Sequence, residues 1–560
     1  MDRIWLKHYP PGVPAEIDVN EYASVREVFE ESCRKFATRP AFSCMGRTIT
    51  FADLDALSST FGAWLQSIGC AKGTRVALMM PNILQYPVCV FGTLRAGCTV
   101  VNVNPLYTAR ELEHQLADSG AEIIVVVENF ARTLQEVVAK TKLRQTVVTS
   151  IGEMLAVKGR IVDLVLRRVK KAVPRFSLPG AIRFTDAMKQ GRKVSLSRVP
   201  IGHDDLAFLQ YTGGTTGVAK GAMLLNRNMV ANMLQARAWV KTILDDSRRE
   251  VIMTPLPLYH IFSLTANCLV FMSVGGENVL IPNPRDIPRF VKEMRRYRFT
   301  AITGVNTLFN ALLNHPKFAQ LNFQSFRLAL GGGMAVQEAV ARRWKEVTGV
   351  TLVEAYGLTE TSPAATMNPL DVAEYTGAIG LPIPSTDITL RDDAGRDVPL
   401  GQPGEICIKG PQVMAGYWQR PQDTADVMTP DGYFLSGDIG IMDERGYIRI
   451  VDRKKDMILV SGFNVYPNEI EGVVVMHPGV LECAAVGIPD RKSGEAVKLF
   501  VVRGDEKLTT ADVIAHARRS LTGYKVPRHV EFVASLPKTN VGKVLRRALK
   551  EPQEKASEPK

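Results

Sequence analysis

A segment rich in glycine and threonine that carries one lysine has the residue types that bind phosphate. Residues 211–221 read YTGGTTGVAKG; the apolar residues 206–210 before them predict a strand, and residues 228–238 after them predict a helix. Glycines let the backbone approach a ligand closely, while hydroxyl groups, N–H groups and Lys220 would surround phosphate oxygens. The spacing does not fit the GxxxxGK[ST] pattern of a Walker A loop. We therefore predict a phosphate-binding loop of another type, with a flexible turn as the weaker alternative.

Histidine and cysteine residues give a weaker chemical signal. His260 lies among apolar residues near a predicted strand end, where a histidine is usually a satisfied core residue. The eight cysteines form no CxxC pair and no Cys/His cluster at zinc-ligand spacing. They predict reduced core thiols in a cytosolic protein.

Length and composition limit the classes of protein that these residues serve. A chain of 560 residues is too long for one compact core, which predicts two or more domains. Its 46% hydrophobic and 22% charged residues exclude a disordered, collagenous or disulfide-stapled chain. The net charge of +12 suits nucleic acid, anionic lipid or polyphosphate. Nucleic acid is not expected, because basic and aromatic residues do not interleave and no helix-turn-helix pattern is present.

Neither a signal peptide nor a membrane span is predicted. Residues 1–11 lack a long apolar run. The most apolar stretch, residues 76–103, is interrupted by prolines, an arginine and a glycine. A spanning helix needs about 20 clean apolar residues, so this stretch predicts a buried strand–helix–strand unit.

The elements that must position the phosphate loop follow an α/β rhythm. Patterns typical of helices and strands alternate through residues 24–150, and the same rhythm returns between residues 249 and 354. Helices are predicted at 25–36, 50–69, 83–96 and 110–119, and strands at 75–79, 99–103 and 123–127. This alternation predicts a large N-terminal domain of doubly wound α/β sheets.

Short strands and turns replace this rhythm after residue 379. Strands are predicted at 387–391, 404–409, 432–434, 439–442 and 447–451, which indicates a β-rich subdomain. Residues 452–456, DRKKD, have the composition of a linker. The predicted domains are therefore 1–451, a hinge linker at 452–457, a small mobile α+β domain at 458–550 and a disordered tail at 551–560.

Residues 158–175 form a basic amphipathic pattern with seven Lys or Arg and one Asp. On a helical wheel Ile161, Leu164 and Val169 share an apolar face, while Arg160 and Arg167 lie on the other face. Such a helix suits an anionic membrane surface. A surface helix packed on its own domain is an equally good interpretation.

Five motifs in order resemble those of the adenylate-forming superfamily, which holds acyl-CoA synthetases, luciferases and peptide-synthetase adenylation domains. They are the loop at 211–221, YGLTE at 356–360, SGD at 436–438, DRKKD with SGFN at 452–464, and PKTNVGK at 537–543. Three further segments are similar to bacterial long-chain fatty acid–CoA ligases of β-oxidation: NVNPLY at 102–107, PRDIP at 284–288 and ITGVNTLF at 302–309. The likeness covers essentially the whole chain. Residues 225–228, LNRN, depart from the Thr-His-Arg-Asn of many members.

The resemblance implies catalytic roles for single residues, each with a plainer alternative. Lys543 would contact the α-phosphate and carboxylate oxygens, and Glu360 with Thr212 would hold Mg²⁺. Arg453 would lie near the ribose and phosphates, and His260 beside the acyl carboxylate. Without the motifs, Lys543 would be a surface lysine, Glu360 a helix-start carboxylate and Arg453 a solvated linker residue.

The implied ATP site combines the phosphate loop with an adenine side and a ribose side. Tyr356 would stack on adenine, and Asp438 would accept both ribose hydroxyls. Without the resemblance, the glycines beside Tyr356 would form a plain turn, and Asp438 would be an ordinary aspartate in a turn. The implied ATP-binding residues are Tyr211, Thr212, Gly213, Gly214, Thr215, Thr216, Gly217, Val218, Ala219, Lys220, Gly221, Ala222, Gly331, Gly332, Tyr356, Gly357, Thr359, Asp438 and Arg453.

The resemblance also implies a hinge, a CoA channel and an acyl tunnel. Asp452 would be the hinge about which the C-terminal domain turns between half-reactions. Ser461, Gly462 and Asn464 would line the channel for CoA. The implied tunnel residues are Phe262, Leu264, Gly304, Val305, Leu308 and Phe309. Some relatives have a gating tryptophan where this chain has Leu264, and by itself the helix at 304–313 is more often core than pocket.

The resemblance implies an ATP-dependent long-chain fatty acid–CoA ligase with Mg²⁺ as cofactor. The fatty acid and ATP would give acyl-AMP and pyrophosphate, and CoA would then give acyl-CoA and AMP. A medium-chain or aryl acid–CoA ligase is the alternative; a non-catalytic fatty-acid-binding protein is disfavoured by the presence of Glu360, Asp438, Arg453 and Lys543. The expected partners are these small molecules and an anionic membrane surface, with a homodimer left open. The expected location is the cytoplasm, at the inner face of the cell membrane.

Overall fold

A computed structural model describes residues 3–212, 219–244, 246–461, 463–538 and 544–550. The chain divides into two compact units. The large unit comprises Trp5–Asp387 and Ile408–Phe434, and the small unit comprises the described parts of Met1–Ile4, Ile388–Cys407 and Leu435–Lys560. The predicted domain boundaries at residues 451 and 458, with a hinge linker at 452–457, stay a prediction. The predicted tail at 551–560 lies outside the described residues.

The first sheet of the large unit has seven strands and carries the phosphate segment at one edge. In spatial order they are Ile182–Arg183, Gln145–Thr149, Ile123–Val127, Arg75–Met79, Thr99–Asn102, Leu206–Thr212 and Lys220–Leu225. Neighbours pair in parallel except for the last two, which are antiparallel. Ile123–Val127 is buried along its whole length, as expected of a central parallel strand covered on both faces.

The second sheet of the large unit has nine strands. In spatial order they are Leu381–Pro382, Ala364–Met367, Leu352–Gly357, Leu328–Gly331, Ala301–Gly304, Val251–Thr254, Glu277–Leu280, Pro40–Cys44 and Arg47–Thr50. The central pairs are parallel, and antiparallel pairs close both edges. A core of Phe309, Phe318, Phe326 and Trp344 packs against this sheet. The predicted α/β class is thereby confirmed.

Helices connect these strands at the predicted places. Phe51–Ser67 begins with a capping box in which Thr50 and Asp53 satisfy each other's backbone N–H groups. The other α-helices of the large unit are Val25–Lys35, Gln85–Arg95, Ala109–Ser119, Ala131–Val137, Ala156–Leu164, Phe184–Gly191, Asn226–Val240, Ile261–Ser263, Val270–Ser273, Ile287–Met294, Asn306–Leu313, Glu338–Thr348 and Pro421–Ala425. The helical pattern predicted at residues 158–175 is shorter in the structure: the α-helix Ala156–Leu164 continues only as a π-helical turn, Val165–Val169. Within the described residues, no helix has the length and apolar character needed to cross a membrane.

A four-stranded sheet carries the ribose and hinge motifs. Its strands are Asp387–Arg391, Pro403–Lys409, Phe434–Met442 and Ile448–Arg453. The separate strands predicted at 432–434 and 439–442 are wrong, because Phe434–Met442 is one strand with an irregularity between Ile439 and Gly440. Residues 452–453 are strand and not linker, since the pairing of Phe434–Met442 with Ile448–Arg453 extends to Asp438 opposite Arg453.

The rest of the small unit is a five-stranded sheet covered by helices. Its strands are Phe463–Val465, Ile458–Val460, Gly494–Arg503 and Val480–Asp490 in spatial order, with His529–Phe532 pairing in parallel with Gly494–Arg503. The helices are Pro467–Val474, Thr510–Arg518 and Arg546–Lys550. Val465, Ile470, Leu499 and Val513 lie in its core. The predicted α+β character of residues 458–550 is confirmed within the described residues.

All eight cysteines are free thiols, in agreement with the prediction of core cysteines. Seven are buried, and Cys483 is half-buried. Burial raises the pKa of Cys33 and of Cys44 to about 12, which keeps both thiols protonated near neutral pH.

Candidate functional site

The two strands on either side of the phosphate segment pair as a β-hairpin. Thr212 pairs with Lys220, and Tyr211 pairs with Gly221, so both strands continue to the edge of the segment. The predicted strand before the segment and the predicted helix after it are present, as Leu206–Thr212 and Asn226–Val240, but an unpredicted second strand, Lys220–Leu225, comes before that helix. The apolar residues of that second strand explain why it forms, because the strand pairs with a buried neighbour. Six predicted ATP-binding residues lie outside the described residues: Gly213, Gly214, Thr215, Thr216, Gly217 and Val218.

Asp118 anchors the first strand of the hairpin. The Tyr211 hydroxyl donates to Asp118 Oδ2 at 2.6 Å, and burial together with the Asp118 carboxylate raises the pKa of Tyr211. Trp418 Nε1 donates to the Asp118 carbonyl at 3.2 Å, and Arg420 donates to its carboxylate at 3.3 Å. A Cβ at Gly221 would lie 3.0 Å from the Tyr211 ring, so glycine gives that ring its place. Tyr211 is thus a structural part of the hairpin.

Residues 414–418 form the outer edge of the same hairpin. The Ala415 N–H donates to the Met223 carbonyl at 3.1 Å, and the Trp418 N–H donates to the Gly221 carbonyl at 2.8 Å. Lys220 forms an ion pair with Asp423, and its ammonium group lies 5.2 Å from the centre of the Tyr417 ring. The predicted phosphate-binding lysine is therefore held at the base of the hairpin by an anionic partner.

Glu360 is a buried carboxylate beside this hairpin. It belongs to the short turn Thr359–Thr361, which follows the strand Leu352–Gly357 and lies beside both hairpin strands. The Tyr417 hydroxyl donates to Glu360 Oε1 at 2.7 Å, and the Met414 N–H donates to the Glu360 carbonyl at 2.8 Å. Burial and the Glu360 charge raise the pKa of Tyr417, so its hydroxyl stays a donor. Sequence reasoning missed Tyr417, because an isolated tyrosine has no spacing signal.

The donor set around Glu360 fits Mg²⁺. Among the described residues there is no group of three or more His, Cys, Asp and Glu side chains suited to a metal. Mg²⁺ usually keeps several waters and binds one or two carboxylates together with substrate phosphates. One buried carboxylate, with the Thr212 hydroxyl at the end of the neighbouring strand, matches that preference.

Glycines and one tyrosine shape the end of the nine-stranded sheet. Tyr356 is buried in the strand Leu352–Gly357, and the neighbouring strand ends at Gly331. A Cβ at Gly332 would lie 3.1 Å from the Phe262 ring, and one at Gly357 would lie 1.7 Å from the Pro363 carbonyl oxygen. Only glycine fits at residue 357, and the close approach at residue 332 leaves little room for a side chain.

Glu354 fastens the segment that follows Gly331–Gly332. Its Oε1 accepts the Val336 N–H at 2.8 Å, and the Tyr375 hydroxyl donates to the Val336 carbonyl at 2.6 Å. Burial raises the pKa of Glu354 from 4.5 to about 7. The neutral form is therefore favoured in the folded protein.

We expect Glu354→Gln to remove a pH dependence of stability. Because the folded pKa is raised, the stability that Glu354 contributes is present below about pH 4.5 and is lost as the pH rises through about 7. Relative to Glu354→Gln, the wild type should lose about 2 kcal/mol of unfolding free energy between about pH 5.5 and about pH 8. Urea unfolding of both proteins at the two pH values measures this difference. If the difference in unfolding free energy between the two proteins is the same at both pH values, the raised pKa of Glu354 would be contradicted.

His260 lies at the start of a short helix after the strand Val251–Thr254. It is half-buried, and its Nδ1 accepts the Phe262 N–H at 3.3 Å. Asn82, which sequence reasoning missed, fixes this segment: it donates to the carbonyls of Thr254 and Leu256 and accepts the Leu258 N–H.

The predicted tunnel residues lie at or after the ends of two neighbouring strands of the nine-stranded sheet, Val251–Thr254 and Ala301–Gly304. Phe262 and Leu308 are half-buried, whereas Leu264 is completely buried at the start of a π-helical turn, Leu264–Leu269. Val305 is buried, and the Phe309 ring packs against Trp344 at 4.8 Å. A Cβ at Gly304 would lie 2.7 Å from the Phe309 ring, so this glycine admits that ring. The acyl role of these residues stays a prediction.

In the small unit, Asp438 and Arg453 face each other across two antiparallel strands. Arg453 Nε lies 3.4 Å from Asp438 Oδ1, and the Asp438 carboxylate is buried. The Asp438 N–H donates to Ser436 Oγ at 3.1 Å, which fixes the turn before it. A buried carboxylate beside a half-exposed guanidinium has the acceptors that a pair of ribose hydroxyls needs.

Asp452 is completely buried in a network centred on Arg546. Its carboxylate accepts the N–H groups of Arg453 and Asn468, each at 2.7 Å, and burial raises its pKa. Arg546 donates to Glu471 at 2.8 Å and to Asn468 Oδ1 at 2.7 Å.

Arg546 also reaches the turn that follows Asp452. It donates to Asp456 at 3.3 Å and lies 4.0 Å from the Asp452 carboxylate. Sequence reasoning missed Arg546 and Glu471, because 75 residues separate them in the chain.

The predicted CoA residues lie around the strand Phe463–Val465. Ser461 has a positive φ of 53°, and its N–H donates to the Ser493 carbonyl at 2.7 Å. Asn464 is exposed in the strand, and the Phe463 ring stacks on Tyr524 at 4.8 Å. Gly462 and Lys543 lie outside the described residues.

Comparison with known families gives matches to both parts of the chain. A family model described as AMP-binding enzyme matches residues 29–418. A second, described as AMP-binding enzyme C-terminal domain, matches residues 469–543.

Named relatives and solved structures match nearly the whole chain. A long-chain-fatty-acid–CoA ligase from Yersinia pestis is 57% identical over 557 residues, 99% of both chains. A protein of the same name from Haemophilus influenzae is 51% identical over the full length of both. The structure of ATP-bound MatB from Rhodopseudomonas palustris has a TM-score of 0.81 and 31% identity, covering 94% of this chain and 98% of that one. The anthranilate–CoA ligase AuaEII, with a TM-score of 0.83 and 24% identity over 95% and 98%, shares the fold.

Proposed function

This chain belongs to the family of AMP-binding enzymes, and from that premise we propose that it is an ATP-dependent long-chain fatty acid–CoA ligase. The observation that carries the proposal is the buried Glu360–Tyr417 pair beside the phosphate hairpin. It supplies a fixed anionic oxygen next to a glycine-rich segment, as a magnesium–nucleotide substrate requires. The long-chain-fatty-acid–CoA ligases that resemble it over nearly their full length support the substrate class.

The first half-reaction joins two anions. A carboxylate oxygen of the fatty acid attacks the α-phosphorus of ATP, and pyrophosphate leaves. Repulsion between the carboxylate and the phosphates must be offset by fixed positive charge and hydrogen-bond donors. We propose that Lys543 contacts the α-phosphate and carboxylate oxygens, with His260 beside the carboxylate. The hairpin segment at 211–222 would hold the phosphates.

Nucleoside recognition is proposed for Tyr356, Asp438 and Arg453. Tyr356 would stack on adenine beside the glycines at residues 331, 332 and 357. The Asp438 carboxylate would accept the ribose hydroxyls, and Arg453 would fix that carboxylate by their contact at 3.4 Å.

Glu360 would be the protein carboxylate that holds Mg²⁺, assisted by the Thr212 hydroxyl. Bound there, Mg²⁺ would neutralise charge on the phosphates. The Tyr417 hydroxyl keeps Glu360 in one orientation through its hydrogen bond of 2.7 Å.

In the second half-reaction the CoA thiolate attacks the carbonyl carbon of acyl-AMP, and AMP leaves. Ser461, Gly462 and Asn464 would contact CoA. Asp452 would be the hinge at which the C-terminal domain changes orientation between the two steps, so that Lys543 acts in the first step only. Phe262, Leu264, Gly304, Val305, Leu308 and Phe309 would line the acyl site.

Lys543→Ala tests this assignment. We expect acyl-AMP formation to fall by at least about a hundredfold, because charge stabilisation in the transition state is lost. Pyrophosphate and AMP release with fatty acids of increasing chain length, with and without CoA, gives the measurement. Thioester formation from supplied acyl-AMP should persist in the variant.

The outcomes are distinct. CoA-dependent AMP release that peaks with long chains supports the proposal. A peak with medium-chain or aryl acids would keep the mechanism and change the substrate. Absence of ATP turnover with every acid would overturn the enzyme assignment.

The proposed location is the cytoplasm, at the anionic inner face of the cell membrane. Long-chain fatty acids partition into bilayers, so an enzyme that uses them gains substrate by associating with that surface. The acyl-CoA product is proposed to enter β-oxidation.

A further inference from the structure

Residues 156–175 contact the large unit mainly through polar groups. Asp163 Oδ2 accepts the Ser150 hydroxyl at 2.6 Å, and Asp163 Oδ1 accepts the Gly152 N–H at 2.8 Å. A Cβ at Gly159 would lie 1.8 Å from the Gly152 carbonyl oxygen, so the two backbones touch at a pair of glycines. These polar contacts and the pair of glycines hold the inner side of the helix Ala156–Leu164, where Val162 is half-buried.

An ion pair holds the following π-helical turn. The Arg167 guanidinium donates to both oxygens of Glu128 at 2.8 Å, and the Glu128 side chain is almost completely buried. The Asn129 amide donates to the Ala172 carbonyl at 3.0 Å. Together with Asp163 these contacts fix the rotation of the segment about its own axis.

In this orientation four large apolar side chains of the segment face outward. Val157 is 79% exposed, Ile161 61%, Leu164 59% and Val169 73%. A surface helix that packs on its own domain buries its apolar face, so this helix has the opposite orientation. The segment therefore contacts its own domain, as the second interpretation expected, but it leaves four apolar side chains exposed.

The segment that carries the four exposed apolar side chains also carries exposed cations. Arg160, Arg168, Lys170 and Lys171 are exposed within the segment itself. The turn at residues 45–47 extends the positive charge beyond the helix: Lys158 donates to the Met45 carbonyl, and Arg47 is exposed. A Cβ at Gly46 would lie 3.2 Å from Arg296 Nη1.

We propose that this face, Val157, Ile161, Leu164 and Val169 with Arg160, Arg168, Lys170 and Lys171, docks the protein on an anionic lipid bilayer. The apolar side chains would enter the boundary between headgroups and acyl chains, while the cations remain at the level of the lipid phosphates. Lysine and arginine stems suit this depth, because their methylene groups bury and their charges reach water. A nucleic acid would use the cations but would leave the apolar side chains exposed to water.

The benefit of this docking rests on the proposed function. A ligase that binds the bilayer by this face meets its long-chain substrate where that substrate accumulates. Docking on a bilayer needs no turnover. Vesicle binding therefore tests the docking surface, and catalysis separately tests the proposed function.

Vesicle binding by two triple variants tests the surface. Ile161→Ser/Leu164→Ser/Val169→Ser removes apolar area, and Arg168→Glu/Lys170→Glu/Lys171→Glu reverses charge. Cosedimentation with phosphatidylcholine vesicles that contain phosphatidylglycerol should show each variant binding at least about tenfold more weakly than wild type. Activation of octanoate, a soluble acid, should stay unchanged, and it reports correct folding.

Matched controls use side chains of the same type at exposed places elsewhere. Val194→Ser/Met476→Ser/Leu481→Ser and Lys317→Glu/Arg491→Glu/Lys507→Glu should bind vesicles like wild type. Binding that survives both test variants would overturn the proposal. Loss in the charge variant alone would also overturn it, because it would indicate a surface for soluble polyanions. If the wild type does not activate octanoate, the result would count against the proposed function. Vesicle binding would still test the docking surface.

Discussion

Glu360→Gln should lower the rate of acyl-AMP formation by at least about a hundredfold at saturating ATP. The substitution keeps the shape of the side chain and an oxygen that accepts the Tyr417 hydroxyl at the observed 2.7 Å contact. Only the negative charge is removed. Pyrophosphate release as a function of Mg²⁺ concentration gives the rate and the apparent affinity for the ion, and the affinity should fall as well.

Tyr417→Phe separates positioning of the carboxylate from its charge. It removes the hydroxyl that donates to Glu360 and keeps the ring that faces the Lys220 ammonium group at 5.2 Å. Removing one hydrogen-bond donor from a buried carboxylate costs about 1–3 kcal/mol. We therefore expect about a tenfold loss of rate and a higher Mg²⁺ requirement.

Binding of Mn²⁺ in the presence of ATP, followed by electron paramagnetic resonance, provides a readout that does not depend on turnover. Glu360→Gln should weaken that binding more than Tyr417→Phe. If Glu360→Gln keeps the wild-type rate and the wild-type ion binding, the proposal that Glu360 holds the metal would be contradicted.

Arg546→Met should destabilise the small unit by about 3–5 kcal/mol, because it leaves buried carboxylates without their cation. Arg546 and Glu471 form close contacts, and their side chains are only 16% and 19% exposed. The completely buried Asp452 would also lose the guanidinium that lies 4.0 Å from its carboxylate. Hydrogen exchange of the backbone amides in the strand Gly494–Arg503 gives the free energy of opening.

Two further variants show whether the loss comes from the buried charges. Lys550→Met removes an exposed cation from the same short helix, Arg546–Lys550, and should change stability by less than about 1 kcal/mol. Arg546→Met with Glu471→Leu should recover much of the loss, since an apolar pair often replaces a buried ion pair without penalty. Equal exchange rates in wild type and Arg546→Met would refute the role of this network.

The α/β class and most elements of the large unit could be predicted from the amino-acid sequence. Strands such as Arg75–Met79 and Ile123–Val127 have the predicted bounds, because a buried parallel strand is a short unbroken run of apolar residues. The ordered motifs likewise pointed to the adenylate-forming family, since glycine, hydroxyl and charged residues at fixed spacing are readable along the chain. Local pattern was enough for these features.

Contacts between residues distant in the chain were decided only by the tertiary structure. Tyr417 reaches Glu360 across 57 residues, and Tyr211 reaches Asp118 across 93, so no local spacing indicates either pair. The second strand of the phosphate hairpin was missed for the same reason, because its pairing depends on a neighbour already in the sheet.

The orientation of the basic amphipathic helix gives the clearest case. The sequence showed its two faces but left open which of them packs on the protein. Asp163, Arg167 and the glycines at residues 152 and 159 decide this, because their contacts with the large unit turn the apolar face to solvent. Periodicity defines the faces of a helix, whereas the partners that surround it determine which face is buried.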